Sequence, residues 1–161
     1  MSGRGVLFAI DDEELASLGD ADNDDDVRSL VDAIEARWEQ ACELDKAWEG
    51  IHRALTDGHF ERTVHGPMMV SGAILGGTVL IEHEDTLIVV KPADEVHQIA
   101  ASLALWDRGR FRSGYFRINI SEYGDLEEED FEYCYAWFER MRAFFAEAAQ
   151  EERAVVFSAD L

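Results

Sequence analysis

Along this chain the hydrophobic positions fall into two patterns, short unbroken runs and stripes at helical spacing, and together they predict strands packed with helices. Residues 5–9, GVLFA, form a run bounded by Gly5 and an acidic cluster, as a buried strand would. Asp11 offers a cap for a brief helix through Leu15 and Leu18 that ends near Gly19. The acidic run DADNDDD, residues 20–26, reads as an exposed loop serving solvation and capping. Val27, Leu30, Val31, Ile34, Trp38, Ala41 and Cys42 then share one stripe, with Arg28, Asp32, Glu35 and Glu39 opposite, which predicts a single amphipathic helix. Asp45 caps the next helix, whose inner face is Trp48, Ile51, His52 and Leu55 and which Gly58 stops.

Residues 59–78 contain HGP, SG and GG and read as irregular chain, long enough to border a pocket. Val79, Leu80 and Ile81, the turn EHED and Leu87 to Val90 predict a hairpin. Pro92 opens a third major helix with Val96, Ile99, Ala100 and Leu103 inward. In residues 107–120 the stretch YFRINI alternates like a strand, and a short helix through Phe111 and Phe116 is the competing reading. Asp125 with Glu128 makes a capping pair for a last long helix. Its apolar residues, from Phe131 and Tyr133 through Trp137 and Phe138 to Phe144 and Ala148, span an arc of roughly 200°, wider than a surface helix needs. That excess leaves room for a dimer surface, and the oligomeric state stays open. Ala154 to Phe157 predict a terminal strand that joins the first in a common sheet.

The expected fold class is therefore α+β: a small mixed sheet of N-terminal strand, central hairpin and C-terminal strand, packed by about four to five helices around a central aromatic one. At 161 residues with no repeat or linker, the chain predicts one domain over residues 1–161. Its apolar fraction of 47% suits a packed core rather than disorder.

Charge narrows the partners. Thirty-five acidic against 14 basic residues give −21, which repels nucleic-acid backbones and anionic membranes and suits a basic protein partner. Twelve Arg against two Lys, Lys46 and Lys91, fit an Arg-preferring genome or adaptation to high salt, so part of that charge describes the host. The longest apolar stretch, residues 68–81, is too short to cross a bilayer, and the acidic residues after VLFAI are the wrong flank for an export signal, which predicts a cytoplasmic protein. Cys42 and Cys134 stand far apart outside any CxxC spacing and read as two reduced, buried thiols.

No catalytic motif is present. The five histidines form no HExxH or HxH pattern, and Glu82, His83, Glu84 and Asp85 read as a solvated turn rather than a metal site. There is no nucleophile elbow around Ser71 or Ser121, and the glycines of SGAILGGT precede a strand, where a phosphate cradle precedes a helix, so no cofactor is expected. Asp45, Trp48 and His52 share one helical face; they are either an acid beside a neutral imidazole or a cap, a core ring and a half-buried histidine. Arg108, Arg110, Arg112 and Arg117 form a basic patch that either grips an anion or neutralises the neighbouring acidic helix.

RGVLFAI, then LDKAWEGIHRALTDG at residues 44–58, ILGG at 74–77 and DFEYCYAWFERMRAFFAEAAQEERAVVFSAD at 130–160 together resemble the YfbM-like family, small bacterial domains of unknown function. The resemblance runs over essentially the whole chain and implies one α+β domain, with no activity to carry over. The family's motif positions here are Asp45, Lys46, Trp48, His52, Gly76 and Gly77, which places a shared binding site between that helix and the ILGG turn. The acidic run at 20–26 lies outside the family pattern. The expected function is a non-catalytic interaction protein with an acidic surface, in one form an immunity protein that neutralises a toxin. The alternative is a small enzyme or small-molecule-binding domain at those six residues.

Overall fold

The computed structural model describes residues 3–37, 40–58, 60 and 70–161. Five strands and seven α-helices are present among them, in the order β1 (Gly5–Ile10), α1 (Asp12–Gly19), α2 (Asp24–Arg37), β2 (Ala41–Asp45), α3 (Trp48–Leu55), β3 (Thr78–Glu82), β4 (Thr86–Lys91), α4 (Ala93–Leu103), α5 (Arg108–Tyr115), α6 (Ile120–Tyr123), α7 (Glu128–Gln150) and β5 (Ala154–Asp160). The sheet order is β2-β1-β5-β4-β3, which puts the two terminal strands side by side at its centre. Leu7 pairs with Phe157, and Phe157 in turn with Val89.

The class is α+β, and the sheet is antiparallel throughout rather than mixed. A strand returned by one helix lies parallel to its neighbour, whereas a pair of helices brings the chain back from the other end. Here β1 and β2 are separated by the two helices α1 and α2, and β4 and β5 by four. Both faces of the sheet are covered over its inner strands, so β1, β4 and β5 read as nearly unbroken apolar runs. Phe8, Ile10, Val90, Ala154 and Val156 pack under Leu18, Val27, Val31 and Ile34 of α1 and α2. Leu7, Leu87, Val89, Val155 and Phe157 face the larger core with Trp48, Ile51, Val96, Phe138, Met141 and Phe145.

Several expected boundaries move. The helix predicted through Cys42 stops at Arg37; Ala41 and Cys42 lie in β2, paired with Phe8 and Leu7. Ala, Cys, Glu and Leu are all acceptable in helices, so local propensity hides a strand that exists because β1 needs a partner on that edge. Asp24 to Asp26 form the first turn of α2 instead of a loop, where carboxylates complement the helix dipole. Asp11 caps α1 as expected, and Glu14 completes a capping box with it. Trp38, His59 and His65 lie outside the described residues.

Residues 107–120 form no strand: Asp107 accepts a hydrogen bond from the Arg110 N–H at 2.8 Å and starts α5, whose Phe111 stacks on Phe138 with ring centroids 4.4 Å apart. The short helix that competed with the strand reading is the one formed, and YFRINI runs from the end of α5 through a turn to the start of α6. Pro92 sits at the cap of α4 rather than inside it. The cap of α7 is Glu127, without the side-chain bond predicted for Asp125 and Glu128, because Glu128 is engaged by Arg112 at 2.6 Å.

The wide apolar arc of α7 divides in two. Phe131, Cys134, Phe138, Met141, Phe145 and Ala148, at alternating spacings of three and four, are buried, while Tyr133, Trp137 and Phe144 flank them half-buried. Phe138→Ala is expected to cost about 3–5 kcal/mol in denaturant unfolding, and Trp137→Ala distinctly less. A loss below about 1 kcal/mol for Phe138→Ala would contradict this placement.

Candidate functional site

Asp45 ends β2 in the left-handed region, at φ 48°, and does not cap α3, whose first turn follows Ala47 without a side-chain cap. Its carboxylate instead accepts a hydrogen bond from the Tyr133 hydroxyl at 2.7 Å and lies 3.5 Å from the Arg4 guanidinium. Burial, and then this bond, push the Tyr133 phenol up to about 12. Asp45 therefore ties the sheet edge to α7. Lys46 is exposed.

Trp48 is fully buried: its indole N–H donates to the Gly3 carbonyl at 3.0 Å, and its ring lies 5.5 Å from that of Phe157. His52, one turn on, is buried edge-on to Phe60 at 5.7 Å. Gly76 is buried, and Gly77 holds φ 108° where a Cβ would stand 2.4 Å from the Val90 carbonyl oxygen, a closeness that only glycine permits. The two halves of the expected site are thus engaged on different strands, Asp45 and Trp48 around β1, β5 and α7, Gly77 on β4.

Three groups that sequence reasoning missed lie close by. Lys91, at the end of β4, is fully buried, and its ammonium donates to the Ile74 carbonyl at 2.7 Å. Burial lowers its pKa to about 7, against the opposing pull of Glu95. Glu95 is raised by burial and then Asp94, and its Oε2 is enclosed without a hydrogen-bond partner among the described residues. The signal was present as a Lys closing a strand of buried residues, TLIVVK, but such a residue is ordinarily an exposed strand end.

The second group joins four helices. Asp130 of α7 accepts hydrogen bonds from Tyr115 of α5 at 2.5 Å and Tyr123 of α6 at 2.8 Å, with the Cys134 thiol 4.0 Å away. Gly50 of α3 lets this cluster close, since a Cβ there would meet the Tyr123 hydroxyl at 2.6 Å. Burial raises both phenols, and with the Asp130 charge it lifts the thiol to about 12. All three are protonated donors at neutral pH, suited to holding helices together rather than to nucleophilic attack. Cys42 is likewise raised, to about 11, chiefly by burial.

In the third group Arg53 of α3 is buried, bonded to Glu122 at 2.7 Å and Glu49 at 3.4 Å, with its guanidinium over Phe60 at 5.0 Å. Its Nε has no hydrogen-bond partner among the described residues. The outer arginine patch takes the neutralising role: Arg108 pairs with Glu132 and Arg112 with Glu128, Arg110 lies over Trp106 at 4.8 Å, and Arg117 donates to the Ser113 carbonyl at 3.2 Å. In the EHED turn His83 meets Asp24 at 2.6 Å. No group of three or more metal-ligating side chains is assembled among the described residues, nor is any helix there long and apolar enough to cross a membrane.

The family model described as a domain of unknown function, DUF1877, matches residues 1–158. The chain belongs to that family. It is also similar to the crystal structure of YfbM from Escherichia coli, a protein of unknown function, with a TM-score of 0.71 and 19% identity over 97% of this chain and 99% of that one. At that identity the likeness shows the fold, and it agrees with the resemblance read from the motifs. No curated protein matches the chain significantly. In the structure the longest motifs become the end of the edge strand with α3, and α7 followed by β5, while ILGG becomes the turn whose Ile74 carbonyl accepts from Lys91.

Lys91 makes stability depend on pH with a definite sign. Its folded pKa lies below the ordinary lysine value, so the unfolded chain binds more protons between about pH 7 and 10.5 and stability rises with pH across that window. The stability of the natural chain minus that of Lys91→Met should therefore climb between pH 7 and 10, by at most about 1.4 kcal/mol per pH unit. Urea unfolding of both at a series of pH values measures this, and a flat difference would show that the amine is solvated.

Proposed function

We propose that the protein is a non-catalytic interaction module that recognises a basic protein partner electrostatically. The supporting observation is how charge is spent: Arg37, Arg53, Arg108 and Arg112 are all consumed in ion pairs with the chain's own carboxylates. Between Asp11 and Asp26 the chain places nine acidic residues and no basic one, and all but Glu14 are exposed. Only Glu14, paired with Arg37, and Asp24, against His83, meet a cationic or imidazole partner among the described residues, and an acidic excess of that kind steers an oppositely charged partner and speeds its association. One concrete form is an immunity-type protein that neutralises a basic toxin.

Capture from native lysate at about 50 and 500 mM salt, read by mass spectrometry, tests this. A stoichiometric basic partner should be held at low salt, lost at high salt, and weakened by Asp20→Asn, Asp22→Asn and Asp25→Asn together. The control, Asp45→Asn with Lys46→Ala, should leave capture unchanged. Capture that ignores both salt and the triple variant would refute the reading.

A second reading draws on one atom, the buried Nε of Arg53, which follows His52 and has no hydrogen-bond partner for that atom among the described residues. It places a small anionic molecule near α3 at His52 and Arg53, one end of the six-residue site that the motifs suggested. A saturable rise in Tm with phosphate or a small dicarboxylate supports it, and no rise with either counts against it.

A further inference from the structure

The half-buried flank of α7 forms one wall of a groove of about 400 Å³ whose other wall is strand β2. Trp137 and Phe144 supply its aromatic surface, Cys42 and Ala148 its floor, and Ala143 is exposed at its mouth. Among its described lining residues the carboxylates are Glu43, Glu147 and Glu151 and the cation is Arg140, which already lies over the Trp137 ring at 4.6 Å, while Arg153 stands 3.9 Å from Glu151. Strand β2 is the end of the sheet and pairs with β1 alone among the described residues, so its outer edge offers backbone donors and acceptors beside that groove.

The opposite face of the same edge differs in chemistry. There Glu35, Glu43 and Asp160 surround a second depression of about 210 Å³ with Arg4. Glu35 is raised by burial and then by Asp32, Asp160 and Glu43, a sign of carboxylates crowded beyond what nearby cations offset. A strand laid along β2 would send alternate side chains to the two faces, one apolar and one acidic.

We propose that the edge of β2 takes an extended segment of a partner protein that alternates apolar and basic residues, adding a sixth strand whose apolar side chains enter the groove between Trp137 and Phe144 while its lysines or arginines face Glu35 and Glu43. This rests on the reading of a basic partner and names where that partner is gripped. Main-chain hydrogen bonds supply affinity and the two faces supply specificity, as in other strand-addition complexes. A second copy of this chain is the wrong occupant, because each carries −21 and the groove rim would meet like charge. Five residues of β2, about 17 Å, match a segment of five to seven residues.

The test uses the full chain, labelled with ¹⁵N, and the peptide acetyl-KVKVKVK-amide. Binding at low salt should move amide signals in 40–45 and 137–151, weaken at least tenfold at about 0.3 M salt, and weaken at least tenfold again in Ala143→Arg. That variant fills the mouth of the groove from an exposed helix position, so its thermal unfolding should stay unchanged. A peptide with proline at alternate positions, which cannot complete the strand pairing, should bind at least tenfold more weakly. Equal binding of the proline peptide overturns strand addition. Shifts confined to residues 11–26 overturn the groove and leave the acidic-surface reading standing. Self-association in sedimentation that the peptide abolishes replaces the partner with a second copy. No shift at millimolar peptide overturns this proposal alone, since the salt-dependent capture judges the wider one.

Discussion

Strand β5 is paired on both edges and buried on both faces, and most of the architecture follows from satisfying it. Its backbone groups are matched by β1 on one side and β4 on the other. Val155 and Phe157 point into the larger core while Ala154 and Val156 point into the smaller. A strand so placed requires helices above and below the sheet, since each exposed valine or phenylalanine would forfeit roughly 1.5–3 kcal/mol of burial. Helices α1 and α2 supply one layer and α3, α4 and α7 the other, and the two ends of the chain meet at the centre.

The larger layer contains the polar exceptions. Lys91 is buried with one backbone carbonyl for company, and Asp130 draws two tyrosines from separate helices onto one carboxylate oxygen. Such groups are costly unless bonded, so each specifies one arrangement of the elements that meet there. Lys91 fixes the turn carrying Ile74 against β4, and Asp130 fixes α5 and α6 against α7. The motif residues conspicuous in the sequence do similar work: Asp45 holds Tyr133 and Arg4, and Trp48 fills the space above Gly5.

What this packing leaves uncovered is chemically uneven. Cations are drawn into pairs with neighbouring carboxylates around α5 and α7, so the negative excess concentrates on α1, α2 and the edge at β2. On α7 the residues at three-four spacing enter the core, and the surplus aromatics, Trp137 and Phe144, border the groove. The acidic depression and the aromatic groove thus flank the same strand edge from opposite faces of the sheet.

Elements with a strong local pattern were legible in the sequence by itself: β1 bounded by glycine and acids, the Asp11 cap of α1, the hairpin β3–β4, and α7 with its wide apolar arc. The α+β class and the family motifs followed from these. Only the tertiary structure decided β2, because ACELD carries no strand preference and becomes one by completing the edge of β1. It likewise decided between the strand and the short helix that the sequence left open for residues 107–120, in favour of α5 with Phe111 stacked on Phe138. Among the site residues, the sequence placed Asp45, Trp48 and His52 on one helical face, but their partners come from Gly3, Phe60, Tyr133 and Phe157, and no local spacing encodes them. Lys91 and Asp130 were unreadable for the same reason: burial and hydrogen-bond company depend on what the rest of the chain brings to them.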